Sequence, residues 1–166
     1  PETMDSGDRA VFGDILRQGL RLTMFIGLPA AAGMVILREP LVQLIYQRGA
    51  FTASDTARVA AVLGWYALGI WAYSAMHVLT RAFYAFKDAR TPLMISVRAV
   101  ALNLMLNLVL IWFMGIAGLA LSTAISATFQ VVLLLRAMRK RVDHLFDTNL
   151  LVSWLTSVAL TAAMVT

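Results

Sequence analysis

Cysteine is absent from this sequence, and charged residues are scarce, at 14% of its 166 positions. The absence of cysteine excludes disulfides and thiolate metal sites. A soluble domain contains about 25% charged residues. The low charge, together with 60% hydrophobic residues and a mean hydropathy of +0.77, therefore predicts a protein embedded in a membrane.

Catalytic signatures are also missing. The sequence contains no HExxH, GxSxG, P-loop or GxGxxG motif. Its nine acidic residues fall in predicted loops or at the ends of predicted helices, so no buried carboxylate pair is available for acid–base chemistry. We therefore predict that the protein is not an enzyme.

The net charge of +5 does not indicate nucleic-acid binding. The basic residues cluster at the ends of apolar runs, which is the pattern of a membrane protein rather than of a basic groove. We expect membrane lipids, and no nucleic acid, among the partners.

The longest uncharged run extends from Ala99 to Leu135 and contains 37 residues. As one helix it would be nearly twice as long as the roughly 30 Å hydrocarbon core of a bilayer. The run must therefore turn, and its only turn-forming sequence is Gly115-Ile-Ala-Gly118. This pattern predicts two spanning helices joined by a short hairpin.

The other apolar runs complete an all-α, polytopic transmembrane helical bundle of about five spans. Pro40, after two charged residues, predicts the end of the first span, and Thr52 and Asp55 have the spacing of a capping box that begins the second. Thr91 and Pro92 suit the N-cap and first helical position of the third. The predicted spans are 11–37, 56–86, 92–114 and 117–138, and a further helix is predicted to start within 149–166.

Basic residues are distributed unequally between the two ends of these spans. Nine lie in segments 1–17, 81–92 and 136–148, whereas three lie in segment 38–58. Because cytoplasmic loops are enriched in lysine and arginine, the first three segments are predicted to be cytoplasmic. Segment 38–58 and the Gly115–Gly118 hairpin are then predicted to face outward.

Three ionisable residues within or beside the predicted spans are candidates for a polar substrate cavity: Arg21, His77 and Arg98. An ionisable residue inside a membrane is commonly functional. Each residue also has a purely structural interpretation. Arginines near helix ends extend to the lipid headgroups, and a single histidine forms hydrogen bonds at the membrane interface. The sequence leaves both interpretations open.

Small and polar residues flank the predicted hairpin. Asn103 and Asn107 share one helix face, and Gly118, Ser122 and Ser126 form a stripe of small residues on the returning helix. The stripe predicts close packing of the two helices, and the asparagines are predicted to hydrogen-bond between them.

The most specific stretches of the sequence are QRGAFTASDT at 47–56 and RAFYAFKDARTP at 81–92. GLRLTMFIGLPAAAGMVIL at 19–37 and GLALSTAIS at 118–126 accompany them. These stretches resemble the MurJ family of lipid II flippases, which is also called MviN. The resemblance extends over nearly the whole chain. This family lies within the multidrug/oligosaccharidyl-lipid/polysaccharide exporter superfamily.

The resemblance implies a larger fold of fourteen spans in two lobes, of which this chain provides spans nine to thirteen. Residues 1–148 would belong to the C-terminal lobe and residues 149–166 to the start of a peripheral helix. An N-terminal lobe of the same protein would be its partner. By alternating access, such a protein carries the undecaprenyl-linked precursor lipid II across the bacterial cytoplasmic membrane. The cavity arginines of the family lie on upstream spans, so their role is not assigned to Arg21 or Arg98.

Some members of this family bind a sodium ion in the second lobe. The resemblance implies that Asn103, Asn107, Thr123 and the carbonyl group of Leu119 form the corresponding site here. Asn107 stands where those members have an aspartate, and the loss of its charge predicts weak binding, although oxygen ligands suit a hard cation. No other cofactor is expected.

Two alternative functions remain open. In the first alternative, the chain is part of another exporter of the same superfamily, which transports lipid-linked polysaccharides or drugs. A non-transporting scaffold that recruits proteins of cell-wall synthesis is the alternative from a different class.

Overall fold

The computed structural model describes residues 6–142, with side chains from residue 11 onward, and over this range the chain is helical without strands. The all-α prediction is confirmed. Within residues 6–142, four segments are long and apolar enough to cross a membrane, and the second of them comprises α2 and α3. The helix predicted to start within 149–166 lies outside the described residues. The helices are α1 (Ser6–Tyr46), α2 (Ala53–Ala67), α3 (Ile70–Ala85), α4 (Arg90–Met114) and α5 (Ile116–Arg139).

Helix α1 is longer than the predicted span 11–37, because it continues through Pro29 and Pro40 to Tyr46. Proline removes one backbone hydrogen bond but keeps a helical φ, so a helix that packs against neighbours can continue past it. The added turns bury Val42, which is only 2% exposed. The helix therefore continues beyond Pro40, the predicted end of the membrane span.

The second predicted span, 56–86, is two helices rather than one. The capping box at Thr52 and Asp55 is confirmed, and it begins α2 at Ala53. The helix is then interrupted at Leu68 and Gly69, where the Gly69 N–H donates to the carbonyl of Tyr66 at 2.9 Å. The interruption lies near the middle of the span, where non-helical backbone is tolerated only when protein or water covers it.

A single residue, Gly115, connects α4 to α5. Its φ of 59° lies in the left-handed region, which glycine adopts without the steric cost that a side chain imposes. The Gly115 N–H donates to the carbonyl of Ile111 at 3.0 Å, and the Gly118 N–H donates to that of Gly115 at the same distance. The predicted hairpin is confirmed.

An apolar core joins α1, α3 and α5 near one end of the bundle, and Ile95 of α4 also belongs to it. Helix α1 contributes Leu16 and Leu20, and the Phe12 and Phe86 rings beside the core meet edge to face with centroids 4.9 Å apart. This core fixes the relative positions of three helices. Its largest fully buried side chains are Phe83, Leu79, Leu134, Met138 and Val131.

The loop between α3 and α4 is tied to the end of α5. Asp88 accepts the backbone N–H of Thr91 at 3.0 Å and forms an ion pair with Arg141, whose guanidinium lies 5.7 Å from the Phe83 ring centroid. Helix α4 begins at Arg90, so Thr91 is inside the helix rather than at its N-cap. The capping acceptor is Asp88, which corrects the prediction for Thr91.

Candidate functional site

The helices α4 and α5 approach each other closely beside the hairpin. A Cβ atom placed on Gly118 would lie 2.4 Å from the backbone oxygen of Leu110, which no real side chain tolerates. Ser122 and Ser126 follow at intervals of one helical turn, and both are buried. The close packing predicted from the small-residue stripe is confirmed.

Farther from the hairpin than this close approach, polar side chains fill the contact between α4 and α5. The Asn103 amide donates to the Thr123 hydroxyl at 3.5 Å, and the Asn107 amide donates to Asn103 Oδ1 at 3.0 Å. The Thr123 hydroxyl donates to the Leu119 carbonyl at 2.7 Å. The four groups predicted to form a site therefore lie together, and we call them, with Ser122, the polar cluster.

Ser122 is a member of this cluster that the sequence prediction missed. Its hydroxyl lies against Asn107 Oδ1 and 2.9 Å from the Leu119 carbonyl oxygen, and it donates its single proton to one of them. The available signal was its place in the small-residue stripe, since that stripe faces α4. A second interhelical bond was also missed, in which the Gln130 amide donates to the Ser96 hydroxyl at 2.9 Å.

The oxygen atoms of the polar cluster are ligands of the type that a hard cation prefers, but none of them carries a negative charge. Its oxygens come from two amides, two hydroxyl groups and one carbonyl, and such ligands suit sodium. No carboxylate belongs to it, and residues 11–142 contain no group of three or more His, Cys, Asp or Glu side chains that could hold a metal. The members already satisfy one another, so a bound cation would have to reorient the asparagine amides.

The three ionisable candidates lie on separate helices and are exposed. Arg21 lies on α1, His77 on α3 and Arg98 on α4. Within the described part of the chain, no hydrogen bond or ion pair joins any of them to another residue. The described helices alone do not bring them together into one site.

Exposed apolar residues surround Arg98 in particular. On α4, Val97 is 57% exposed, Met94 55% and Met105 69%. The most apolar window of α4 is only 11% buried, against 44% for α5. This face of α4 is therefore available to lipid or to parts of the protein outside the described residues.

Comparison with known proteins identifies the family to which this arrangement belongs. A family model described as Lipid II flippase MurJ matches residues 2–166. The chain is 36% identical over 120 residues to a probable lipid II flippase MurJ of Rickettsia prowazekii, and 32% identical over 127 residues to that of Vibrio cholerae. These matches cover 72% and 76% of this chain but 24% of each relative.

A solved structure agrees with the sequence matches. The chain resembles a lipid II flippase MurJ in an inward closed conformation with a TM-score of 0.81 and 28% identity, over 95% of this chain and 33% of that one. The chain thus spans about a quarter of the length of these curated relatives and a third of the solved chain. It is an integral protein of the bacterial inner membrane, and it belongs to the MurJ lipid II flippase family.

Proposed function

We propose that the protein containing this chain translocates lipid II across the cytoplasmic membrane by alternating access. The observation that carries the proposal is the family match over residues 2–166, supported by the structural similarity over 95% of the chain. The described helices would form one wall of the transport cavity within the C-terminal lobe. Residues 149–166 would begin a peripheral helix, and the N-terminal lobe would provide the opposing wall.

The proposed topology places residues 1–17, 81–92 and 136–148 in the cytoplasm. The unequal distribution of basic residues supports this orientation. This chain contains no cysteine, so in a full-length protein freed of any other cysteines, single cysteines introduced at Ala50 and Ala89 test the topology in whole cells. An impermeant thiol reagent should label the Ala50→Cys variant and not the Ala89→Cys variant, and the opposite pattern would reverse the topology.

Complementation tests the proposed transport. The host's own lipid II flippase is depleted, and the full-length protein is expressed in its place. Growth and lipid II in the outer leaflet should both recover. If neither recovers despite normal amounts of protein in the membrane, the flippase assignment fails, and another exporter or a cell-wall scaffold becomes the better interpretation.

The same strain tests the three cavity candidates. The variants Arg21→Gln, His77→Gln and Arg98→Gln are compared with Arg48→Gln, an exposed arginine of the α1–α2 turn that donates to the Leu44 carbonyl. A variant that reaches the membrane normally and does not restore growth places its residue in the cavity. A variant that behaves like Arg48→Gln indicates an arginine or histidine that only extends to the headgroups.

A weak sodium site at Asn103, Asn107, Leu119 and Thr123 is the second part of the proposal. The convergence of their oxygens supports it, and the absence of a carboxylate limits its affinity. The Asn107→Asp variant restores a charged oxygen and should increase stabilisation by sodium relative to potassium. Equal thermal stability in the two salts for both proteins would contradict a sodium site.

A further inference from the structure

An arginine that the transport proposal does not use lies in a groove between α1 and α2. Arg38 is half-buried, about 12 Å before the end of α1 at Tyr46, counted at the helical rise. A Cβ atom placed on Gly64 would lie 2.9 Å from Arg38 Nη1 and 3.3 Å from its Cδ. The guanidinium and its stem therefore occupy space that exists because residue 64 has no side chain.

The charge of Arg38 has no protein partner within the part of the chain that the structure describes. No hydrogen bond, ion pair or ring contact reaches its guanidinium from residues 11–142. Glu39 lines the same groove, but its carboxylate and the Arg38 guanidinium do not form an ion pair. The groove thus presents one cation and one anion, neither of which has a hydrogen-bond partner among residues 11–142.

The size and walls of the groove suit a small amphipathic group. Its volume is about 310 Å³, which is at the lower end of ligand pockets. Trp65 is an amphipathic side chain of the kind found at the level of lipid headgroups. On α1, the preceding Ile36 and Leu37 are about half exposed and offer an apolar surface next to the groove. Its apolar lining consists of Val35, Ala57, Ala61, Gly64, Trp65 and Leu68.

We propose that this Arg38 groove binds the headgroup of a zwitterionic aminophospholipid. Its phosphate accepts hydrogen bonds from the Arg38 guanidinium, and its primary ammonium donates to the Glu39 carboxylate. The planar guanidinium offers paired donors that match phosphate oxygens. The neighbouring carboxylate disfavours a purely anionic ligand and favours one that brings its own positive charge. The apolar walls receive the upper part of the acyl chains.

Binding of short-chain lipids to the full-length protein tests this inference without any transport measurement. The protein is placed in phosphatidylcholine nanodiscs and titrated with dihexanoyl phosphatidylethanolamine, dihexanoyl phosphatidylglycerol or inorganic phosphate. The wild type should bind phosphatidylethanolamine about tenfold more tightly than phosphatidylglycerol. Equal binding of these two lipids would overturn the proposal. Inorganic phosphate that binds as tightly as phosphatidylethanolamine would identify a free anion as the ligand, which also overturns it.

Substitutions in the groove separate its two charges. Arg38→Gln should weaken the binding of both lipids about tenfold or more, because a charge-assisted hydrogen bond is lost. Glu39→Gln should instead remove the preference for phosphatidylethanolamine and leave phosphatidylglycerol binding at least as strong. Arg58→Gln is the matched control, since Arg58 lies on another side of α2. Unchanged binding in Arg38→Gln would contradict the assignment.

A glycine pair tests the geometry without removing any charge. Gly64→Ala displaces the flexible end of Arg38 and should weaken phosphatidylethanolamine binding, although less than Arg38→Gln does because the charge remains. Gly33→Ala adds the same methyl group to α1, where nothing lies within 4 Å of it, and should bind like the wild type. Equal binding by these two variants would show that the position of Arg38 does not matter and would overturn the groove as a site.

Discussion

The apolar core and the contact between α4 and α5 hold the bundle together in different ways. In the core, α1, α3 and α5 interlock through fully buried side chains such as Phe83 and Leu134. Helix α4 contributes only Ile95 to this core, and its other buried residues are Pro92 and Ala99. It is joined to α5 through Gly115, the close approach at Gly118, the polar cluster and the bond from Gln130 to Ser96.

The difference indicates which part of the bundle can move. In a bilayer, lipid tails are as apolar as leucine, so helices associate through packing and interhelical hydrogen bonds rather than through a hydrophobic driving force. Packing in the core involves fully buried side chains of α3 and α5 together with Leu16 and Leu20 of α1, whereas α4 adds only Ile95 to the core and otherwise contacts mainly α5. We therefore expect α4 to separate from the bundle at a lower free energy than α1, α3 and α5 separate from one another.

The largest effect is expected from removing a large core side chain. Phe83→Ala deletes a fully buried ring and should destabilise the protein by about 3–5 kcal/mol. Tyr84→Ala, at a neighbouring position that is 57% exposed, is the control and should change stability little. Denaturant unfolding of the full-length protein in detergent micelles measures both. A similar loss for the two variants would contradict a packed core at Phe83.

A smaller effect is expected where α4 and α5 approach each other. Gly118→Ala places a methyl group against the Leu110 backbone and should cost about 1–3 kcal/mol by forcing the hairpin helices apart. Spin labels on α4 and α5 should report an increased distance in this variant and not in Gly33→Ala. An unchanged distance and stability would show that the helices are not in contact at Gly118.

The polar cluster should contribute still less. Asn107→Leu removes the bond to Asn103 and the contact with Ser122, and interhelical hydrogen bonds in membranes contribute about 0.6 kcal/mol on average. The loss should be confined to α4, so hydrogen exchange should increase there and not in α3. Gln130→Leu, which removes a single bond to Ser96, is a matched comparison. Faster exchange throughout the bundle would contradict a local role.

The smallest effect is expected at Asp88, which connects the core end of the bundle to the start of α4. Hydrogen bonds from the Thr91 hydroxyl and backbone N–H, with Arg141 nearby, hold the pKa of this carboxyl group below its ordinary value. Because the pKa of Asp88 is lower in the folded state than in the unfolded state, the ionised carboxyl group stabilises the folded state at neutral pH. This stabilisation is lost as the pH falls through and below about 4. Asp88→Asn should therefore reduce the loss of stability on acidification. An identical pH profile for the variant would contradict this contribution.

The sequence predicted the features that depend on local pattern. Uncharged runs located the helices, Gly115 located the hairpin, and Thr52 with Asp55 located the start of α2. These features depend on hydropathy and on residues close in sequence, which is why they are visible without a structure.

The features that sequence did not predict depend on contacts between helices. Pro40 lies inside α1 because Val42 beyond it is buried, and the interruption at Gly69 packs against Ala124 of α5. Ser122 joins the polar cluster only because α5 returns along α4. The sequence predicted Arg38 at the end of a span, and only the tertiary structure shows that its side chain lies over Gly64.

Translocation of fluorescent lipid II in proteoliposomes tests most directly whether these helices form part of a lipid II transporter and whether the α4–α5 contact serves it. The full-length protein is reconstituted as the wild type, Gly118→Ala and Gly33→Ala. We predict translocation by the wild type and Gly33→Ala and clearly slower translocation by Gly118→Ala. Absence of translocation by the wild type would contradict the flippase function, and equal rates for all three proteins would contradict a role for the α4–α5 contact.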